Sequence, residues 1–407
     1  MRDILIVGAG QAGLHLAIGL LQHGYDVTVV SNRTPESIRD GRVMSGQAMF
    51  GTAQAHERRL GLDWWAEVCP PIDGIALTVP SPEGGKALDW AARLHVPARS
   101  VDQRLKMPAW LGEFERLGGK LVLHDATPED LEGYAARYDL VLVAAGKGQI
   151  ASLFERDPER SPYAAPQRAR GGHLRQRPGS PPRALGGLLQ PASRRGRVLR
   201  LPRAHAHRPL RDHGVRGRAG RSHGLLGRRA RPGRAPGAQP PDPGDVLPVG
   251  GRALRRDRAH RRQRGPDRRF APTVRRPVAV LPSGAPVLGV ADVVVLNDPI
   301  TGQGSNNAAK CADTYLRAIV ERGGQPFDAD WMRRTFDLFW AQAQHVTNWT
   351  NALLAPAEPH HLALLGAAGE RPEIASRFVN GFDDPADYAD WFMDAARAEA
   401  YLSRVAA

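Results

Sequence analysis

The sequence predicts an α/β protein centred on a doubly wound, mostly parallel sheet of the Rossmann type. An apolar strand runs into a glycine-rich turn and a helix at residues 4–13, and a second strand–turn–helix pattern lies at residues 287–304. Between them, residues 170–270 are dominated by arginine, proline and glycine and do not resemble the flanking sequence. We therefore predict one α/β unit whose two halves are separated by an anomalous segment.

The first strand and its turn carry a dinucleotide-binding motif, Gly8-Ala-Gly-Gln-Ala-Gly13. Gly8 permits a tight turn, Gly10 lets the backbone approach a pyrophosphate, and Gly13 allows close packing of helix on strand. The positive end of the helix dipole also favours an anion at this point. We expect the dinucleotide to bind along Gly8, Gly10, Gln11, Ala12 and Gly13.

The next elements continue the α/β pattern. A helix is expected at 11–23, ended by Gly24, and His15 on this helix is expected to pack in the core and not to catalyse. The further expected elements, in order, are a strand at 26–30, β excursions at 75–79 and 88–94, a helix at 109–117, a strand at 120–124, a helix starting at Thr127-Pro-Glu-Asp130, a strand at 139–145 ending at Gly146, and aromatic-rich core helices from Asp328 onward.

The end of the second strand departs from the usual dinucleotide pattern. An acidic residue normally binds the adenosine ribose there, but this chain has Ser31, Asn32 and Arg33. These side chains can still form hydrogen bonds with a ribose hydroxyl, and Arg33 can equally be a solvated loop charge. We keep all three as candidate cofactor-binding residues.

The second glycine-rich turn indicates which dinucleotide binds. Gly289-Val-Ala-Asp292 provides an acid for ribityl hydroxyls, and Pro299, Gly302, Gln303 and Gly304 lead into a helix predicted to begin near Ser305. The start of that helix would stabilise negative charge on a reduced flavin. Together the two motifs predict FAD, with Asp292 and the 299–304 turn as binding residues. A burial argument supports Asp292, because a carboxylate at the end of an apolar strand is costly without a partner.

Three arginines are candidates for binding the FAD diphosphate. Arg42 lies in Asp40-Gly-Arg-Val-Met, and Arg99 and Arg104 flank Ser-Val-Asp-Gln. A guanidinium in either place can pair with phosphate oxygens, although surface arginines are common. We find no Ser-His-Asp order, Walker loop or metal-ligand spacing, and we expect no metal. There is no second GxGxxG for NAD(P)H outside residues 170–270.

Residues 170–270 hold most of the positive charge. They contain 27 arginines and five aspartates but no lysine or glutamate, whereas the rest of the chain carries 29 basic and 37 acidic side chains. Low apolar content with high net charge is typical of a segment that cannot form a core. One interpretation is a disordered arm that binds polyanions. The other, which we favour, is a disrupted reading frame, since a GC-rich gene read out of frame yields mainly Arg, Pro, Gly, Ala and His. Reading the gene in all three frames would separate the two.

Outside that segment, the motifs resemble the FAD-dependent styrene/indole monooxygenase family, the epoxidase component of two-component systems. The matching stretches are 4–16, 26–30, Gly41-Arg42, 100–105, 131–147, 161–169, 289–292 and 298–304. The resemblance implies an FAD-binding Rossmann-like fold of the aromatic hydroxylase type, with a β-rich substrate domain that is largely disrupted here and a helical C-terminal region. The expected organisation is an FAD domain in two parts, 1–169 (with an excursion at about 72–98) and 271–325, the anomalous segment 170–270, and helices over 326–407.

The resemblance also implies an activity. Reduced FAD would come from a separate NADH-dependent flavin reductase, and reaction with O2 would form a C4a-hydroperoxide that transfers one oxygen atom to a small aromatic alkene or to indole. Ser45 and Gln47 stand where the family places polar side chains near the flavin ring, but the family's Asn-Thr type pair is not reproduced, so a catalytic role for them is a hypothesis. The two cysteines and the absence of a signal pattern or an apolar span predict a cytoplasmic protein without a membrane. A homodimer stays one option.

Two other interpretations stay open. A one-component hydroxylase would take electrons directly from NAD(P)H, and NAD(P)H would then reduce its bound FAD without a reductase. Alternatively, the chain as written is an inactive, frame-disrupted product whose arginine-rich segment binds polyanions non-specifically. That interpretation predicts a steep salt dependence of nucleic-acid affinity, together with poor solubility and weak flavin retention.

Overall fold

The structure of the protein, a computed structural model, describes residues 2–42, 48–81, 84–146, 148–167 and 271–406, and the backbone of residues 189–192. Ser45 and Gln47, predicted as catalytic residues, lie outside the described residues, as does nearly all of the arginine-rich segment. The described strands are β1 (Asp3–Val7), β2 (Asp26–Ser31), β3 (Ile72–Pro80), β4 (Lys86–Ala98), β5 (Lys120–Leu123), β6 (Leu140–Val143), β7 (Leu189–Ala192), β8 (Thr273–Val274), β9 (Val278–Val280), β10 (Pro286–Gly289) and β11 (Val295–Leu296).

The described α-helices alternate with these strands in the first half of the chain and dominate its C-terminal part. They are α1 (Gln11–Gln22), α2 (Pro35–Arg39), α3 (Gly51–Arg59), α4 (Gln103–Arg116), α5 (Pro128–Ala135), α6 (Gln149–Ser152), α7 (Gly304–Arg322), α8 (Ala329–Ala352), α9 (Pro359–Ala367), α10 (Pro372–Asn380) and α11 (Ala395–Ala406). Within the described ranges, no helix is both long and apolar enough to cross a membrane.

The main sheet has the strand order β5-β2-β1-β6-β10-β9. Its neighbours run parallel except for β9, which pairs antiparallel with β10. The chain passes from β1 to β2 on one side and later returns to β6 on the other side of β1. This reversal is the switch point where open α/β sheets bind their ligands, at the carboxyl ends of the strands. The predicted α/β class with a parallel sheet and a helical C-terminal region is confirmed.

The sequence explains why the centre of this sheet is buried. β1 reads Asp-Ile-Leu-Ile-Val, and residues Ile4–Val7 are at most 3% exposed. A continuous apolar run suits a strand that is covered on both faces. Helices α1, α4, α7 and α8 contribute to the same core cluster, and α1 packs directly on α7 and α4. The sheet and α1 therefore form a rigid base for the glycine-rich turn between them.

A smaller antiparallel sheet corresponds to the predicted β excursions. It has the order β4-β3-β7, and β3 and β4 are longer than the predicted 75–79 and 88–94. The outer strand β7 falls within the arginine-rich segment and pairs with β3 from Gly74↔Ala192 to Leu77↔Leu189. The sequence did not predict this strand, because residues 170–270 show no regular hydrophobic period.

A second core cluster joins β3 and β4 to the C-terminal helices. Its aromatic side chains include Trp90, Trp349, Phe378, Phe382, Tyr388 and Phe392. Trp349 stacks on Tyr388 with ring centroids 4.5 Å apart. Trp331, Phe336 and Phe339 belong to the main core instead. These observations agree with the expectation that the aromatic series of the C-terminal region packs in the core.

Two predicted element boundaries are wrong. Helix α4 begins at Gln103 and not at Ala109, because the Asp102 side chain caps it by accepting a hydrogen bond from the Arg104 amide at 2.8 Å. Pro108 lies inside this helix. In addition, β10 ends at Gly289, and the following residues Ala291–Val293 form a 3-10 turn. Asp292 therefore lies on a turn and not on a strand.

Candidate functional site

The two predicted motifs meet at the carboxyl edge of the main sheet. The Gly8 amide donates to the Val30 carbonyl at 2.8 Å, which joins the glycine-rich turn to the end of β2. On the other side, the Val290 amide donates to the Val143 carbonyl at 2.8 Å, which joins the second motif to the end of β6. Gly8 and Val290, which are 282 positions apart in the sequence, are thus brought to the same edge of the sheet by the strand order.

The glycines of the first motif have the geometry that the motif requires. Gly8 has φ +118°, a conformation that side-chain-bearing residues rarely adopt. A Cβ on Gly13 would overlap the Gly8 carbonyl oxygen, so that helix α1 can lie close against the turn only with glycine there. Gly10 by contrast faces open space, with no heavy atom within 4 Å of its Cβ position. That opening, next to the start of α1, is where a diphosphate would lie.

Gly146 connects the two halves of the crevice. A Cβ at this position would lie 3.0 Å from the Asp292 Cβ, tighter than an ordinary carbon–carbon contact. Any larger residue at 146 would therefore displace Asp292. This close contact explains why a glycine stands at position 146, three residues after the end of β6.

Asp292 is held by an unusual turn. Ala291 has φ +52°, and it is the only residue other than glycine with positive φ among the described parts of the chain. Its amide donates to Cys311 Sγ at 3.3 Å, and Tyr315 donates its hydroxyl to the Gly289 carbonyl at 3.0 Å. Helix α7 thus fixes the turn that projects Asp292. The Asp292 side chain is exposed, so the expectation that burial makes its carboxylate costly is wrong.

The second glycine-rich turn is built by local hydrogen bonds. The Asp298 carboxylate accepts from the Ile300 amide at 2.9 Å, and Gly302 adopts the left-handed conformation with φ +67°. Gln303 is buried, and its side-chain nitrogen donates to the Phe382 carbonyl at 2.7 Å. Helix α7 then begins at Gly304, close to the predicted Ser305, and nothing lies within 4 Å of the Gly304 Cβ position.

The three predicted arginines differ in the hydrogen bonds that their guanidinium groups already form with described residues. Arg99 Nε and Nη1 are buried and have no hydrogen-bond partner within the described ranges. Arg104 instead binds the Asp102 carboxylate with both Nε and Nη2, at 3.1 and 2.7 Å. Arg42 is exposed at the edge of residues 43–47. Arg99 is therefore the best fit for an anion such as a diphosphate.

The candidate ribose residues lie at the end of β2. The Ser31 hydroxyl donates to the Arg33 carbonyl at 2.9 Å, and Asn32 Nδ2 donates to Asp125 Oδ1 at 2.9 Å. Asn32 and Arg33 are exposed. All three thus lie at the expected edge of the sheet, and their role in binding ribose stays a prediction.

Sequence reasoning missed a buried ion pair beneath the first motif. Glu57 on α3 and Lys106 on α4 are 4% and 2% exposed, and they form a salt bridge with each other. Gln11 Nε2 donates to the same carboxylate oxygen, Oε1 of Glu57, at 2.7 Å. A usable signal existed for Lys106, which stands one helical turn before Trp110 in an otherwise apolar stripe. Glu57 gave no comparable signal.

Asn297 is a second residue that the sequence did not single out. Both its side-chain oxygen and its side-chain nitrogen are buried and lack a hydrogen-bond partner in the part of the chain that the structure describes. It directly precedes the turn at 298–302. An amide with both groups unsatisfied suits a hydroxyl- or amide-bearing ligand, because a buried unpaired polar group is costly.

Burial controls the protonation of two groups near the crevice. It lowers the pKa of His15 to about 3, with further lowering by His56, and it raises the pKa of Cys311 to about 12. His15 is fully buried and packs edge-on against Trp110. Neither a charged imidazole nor a thiolate is therefore available near neutral pH. His15 packs as expected from the sequence.

The described residues fit FAD. No heavy atom lies within 4 Å of the Cβ positions of Gly10 and Gly304, so a ligand can approach the backbone there, and Arg99 offers guanidinium hydrogens to an anion. Asn297 offers hydrogen-bonding groups to hydroxyls, and Asp292 reaches the same crevice from the other motif. No group of His, Cys, Asp or Glu side chains in the described ranges could hold a metal ion.

The chain is similar to known flavin-dependent proteins. Residues 3–66 match the family model described as FAD binding domain. The whole chain is 28% identical to styrene monooxygenase StyA of Pseudomonas fluorescens, covering 98% of that protein, and 27% identical to the protein of the same name from another Pseudomonas species, also covering 98%. Among solved structures, the flavin-dependent brominase Bmp2 matches with a TM-score of 0.54 and 14% identity, over 99% of this chain and 98% of that one.

The fold and the crevice thus define an FAD-binding flavoprotein. The resemblance noted in the sequence agrees with these comparisons, since the chain is similar over its full length to styrene monooxygenases and carries an FAD-binding match. In coarse terms it is an FAD-dependent monooxygenase, an oxidoreductase. The cofactor predicted from the two motifs, FAD, is likewise confirmed.

Proposed function

We propose that the protein inserts one oxygen atom from O2 into a small aromatic alkene or indole, as an epoxidase that uses reduced FAD from a separate NADH-dependent reductase. The observation that carries the proposal is the full-length similarity to two proteins named styrene monooxygenase. The two joined motifs at the sheet edge support it, since they provide a site for the whole of FAD. Reduced FAD, when bound, would supply the two electrons that activate O2, and the protein would hold, orient and shield the cofactor.

Each part of the crevice has a proposed role. Gly8, Gly10 and Gly13 bring the start of α1 to the diphosphate, and Arg99 pairs with its oxygens. Asp292 accepts hydrogen bonds from ribityl hydroxyls. The proposed FAD-binding set is completed by the other residues predicted from the sequence: Gln11, Ala12, Ser31, Asn32, Arg33, Arg42, Arg104, Gly146, Pro299, Gly302, Gln303 and Gly304.

The start of helix α7 is the proposed electrostatic element of the site. Its first amides are not satisfied within the helix and give it a positive N-terminal end. Gly304 opens this end to the crevice without a side chain. A reduced flavin carries negative charge on its pyrimidine side, and the helix end would stabilise that charge.

The aromatic cluster next to the 298–302 turn is the proposed apolar wall for the substrate. Ile300 of that turn packs in the same cluster as Phe50, Trp349 and Phe382. Thr301 shares a hydrogen bond with Thr350 at 2.8 Å, which ties the turn to helix α8. An apolar wall excludes water from a reactive oxygen species, and it suits a substrate without polar groups. Ser45 and Gln47 are proposed to act on the reacting oxygen, as the resemblance to the family implies.

The organisation of the chain is part of the proposal. The FAD domain would comprise residues 1–169 and 271–325, and residues 326–407 would form the helical region. The excursion formed by β3 and β4 would belong to the substrate domain. Residues 170–270 would replace most of that domain, either as a frame-disrupted stretch or as a basic arm.

A reconstituted assay tests this function. The full chain is mixed with FAD, NADH, O2, a flavin reductase and styrene or indole, and the epoxide or its indigo product is measured. We expect product only when the reductase is present, whereas a one-component hydroxylase would turn over with NAD(P)H alone. Loss of epoxidation in Ser45→Ala and Gln47→Ala would support their catalytic role. Full activity of both variants would contradict it.

A further inference from the structure

The buried Glu57–Lys106 ion pair beneath the glycine-rich turn has no role in the account so far. Gln11 is the first residue of α1 and is only 7% exposed. Its side-chain nitrogen donates to Glu57 at 2.7 Å, while its side-chain oxygen is buried and accepts no hydrogen bond from any described residue. A buried amide oxygen left unpaired costs about 1–3 kcal/mol. The side-chain oxygen of Gln11 therefore requires a hydrogen-bond donor that the described residues do not provide.

The ion pair fixes which way the Gln11 amide points. The Glu57 carboxylate only accepts hydrogen bonds, so it selects the amide nitrogen of Gln11 and turns the amide oxygen away. Lys106 donates to the same carboxylate, and its ammonium lies 4.7 Å from the centre of the Trp110 ring. Burial lowers the pKa of Lys106, and Glu57 opposes that shift. The two charges offset each other's burial, since a single buried charge would be far more costly.

We propose that Glu57 is a positioning residue, which holds Gln11 Oε1 as an acceptor for an FAD hydroxyl next to the diphosphate. The location supports this, because Gln11 directly follows Gly10, whose Cβ position faces open space. Hydroxyls flank the diphosphate of FAD on both sides, in the ribityl chain and in the adenosine ribose. The proposal rests on the FAD site and is independent of the oxygenation chemistry.

Two matched double variants separate this role from the structural role of the ion pair. Glu57→Gln/Lys106→Met and Glu57→Leu/Lys106→Met both remove the two buried charges. Only the first retains an oxygen that can accept from Gln11. We expect the glutamine variant to bind FAD with a Kd within about twofold of the parent, and the leucine variant about tenfold more weakly, as for one lost hydrogen bond. Fluorescence quenching of FAD measures both, and thermal unfolding of the apoproteins shows whether their stabilities match.

A third variant makes the test independent of how the double variants fold. Gln11→Met keeps the size of the side chain and removes the acceptor, so it should also weaken FAD binding about tenfold. In the Glu57→Leu/Lys106→Met background it should cause no further loss, because the two changes act on one contact. An undiminished FAD affinity of Gln11→Met would overturn the proposal, as would equal affinities of the two double variants.

Fragments of the cofactor identify the hydroxyl. ADP carries the ribose and FMN carries the ribityl chain, and each is titrated against the parent and Gln11→Met. Weaker binding of ADP alone assigns the contact to the ribose, and weaker binding of FMN alone assigns it to the ribityl chain. Unchanged binding of both overturns the proposal. A parent chain that fails to bind FAD would overturn the site itself, whereas equal affinities among variants would overturn this inference only.

Discussion

At the scale of single residues, the sequence identified the glycines of the proposed site. It did not reveal the backbone strain at Ala291 or the hydrogen-bond partners of the arginines. The roles of Gly8 and Gly13 followed from the motif, because a tight turn and a close helix leave no room for a Cβ. The strained Ala291 was not predictable, since nothing in its local sequence requires a positive φ. The sequence also did not predict that Arg104 binds the Asp102 carboxylate, because this pairing depends on where α4 starts.

Asp292 should be needed for the cofactor and not for the fold. We expect Asp292→Ala to weaken FAD binding about tenfold or more, because hydrogen bonds to a charged acceptor are worth about 1.5–3 kcal/mol. The Kd is measured by quenching of FAD fluorescence. Asp330→Ala, which alters an exposed carboxylate of α8, serves as the control and should bind FAD like the parent. Equal affinities of the two variants would refute the role of Asp292.

The positive φ of Ala291 should show in protein stability. A non-glycine residue in this conformation costs about 1 kcal/mol or more, which glycine avoids. Ala291→Gly should therefore be neutral or raise the free energy of unfolding. Ala341→Gly, at an exposed position inside α8, should instead lower it by about 1 kcal/mol. Denaturant unfolding compares them, and equal destabilisation by both changes would show that Ala291 is not strained.

The two buried arginine candidates should separate by function. Arg99→Met removes the unpaired guanidinium and should weaken FAD binding at least about tenfold, as expected for a charge-assisted contact with phosphate. Arg104→Met should weaken FAD binding less than Arg99→Met and should also lower stability, because the Arg104 guanidinium already binds the Asp102 carboxylate that caps α4. FAD titration and thermal unfolding of both variants test this. A greater loss of FAD affinity in Arg104→Met would reverse the assignment.

At the scale of elements, hydrophobic periodicity and capping residues predicted those helices and strands whose bounds depend on the local sequence. The bounds of α1 and the capping box of α5 at Thr127 and Asp130 came directly from the sequence. The early start of α4 was missed, because Asp102 was not recognised in the sequence as the residue that caps the helix. Strand β7 was missed because pairing with β3, a tertiary contact, sets its structure.

Helix α1 should make stability depend on pH through His15. Its pKa of about 3 in the folded protein lies below the ordinary value of 6.5, so the unfolded chain binds more protons between these two pH values. Stability from this residue is therefore complete above about pH 6.5 and falls as the pH drops toward 3. His15→Leu should show a smaller loss of unfolding free energy over that range than the parent. His95→Leu, at an exposed position, should follow the parent curve. Identical slopes for all three proteins would contradict a buried neutral His15.

At the scale of the whole molecule, the net charge and the similarity to styrene monooxygenases indicate different functions. The formal net charge of +14 would suggest a polyanion partner, yet the chain outside residues 170–270 has an excess of acidic side chains. The described residues that we propose to hold FAD all lie outside that segment. The sequence therefore predicted the nucleotide half of the protein well. The second core cluster depends on tertiary packing between β3, β4 and the C-terminal helices, which no local motif predicts.

A single-turnover experiment tests the central claim, that this chain binds FAD and uses it to transfer oxygen. The full chain is loaded anaerobically with photoreduced FAD and then mixed with ¹⁸O₂ and styrene, without NADH or a reductase. We predict styrene oxide that carries one labelled oxygen atom, in an amount proportional to the protein-bound flavin. Reoxidation of the flavin with hydrogen peroxide as the only product, or no retention of FAD, would contradict the account.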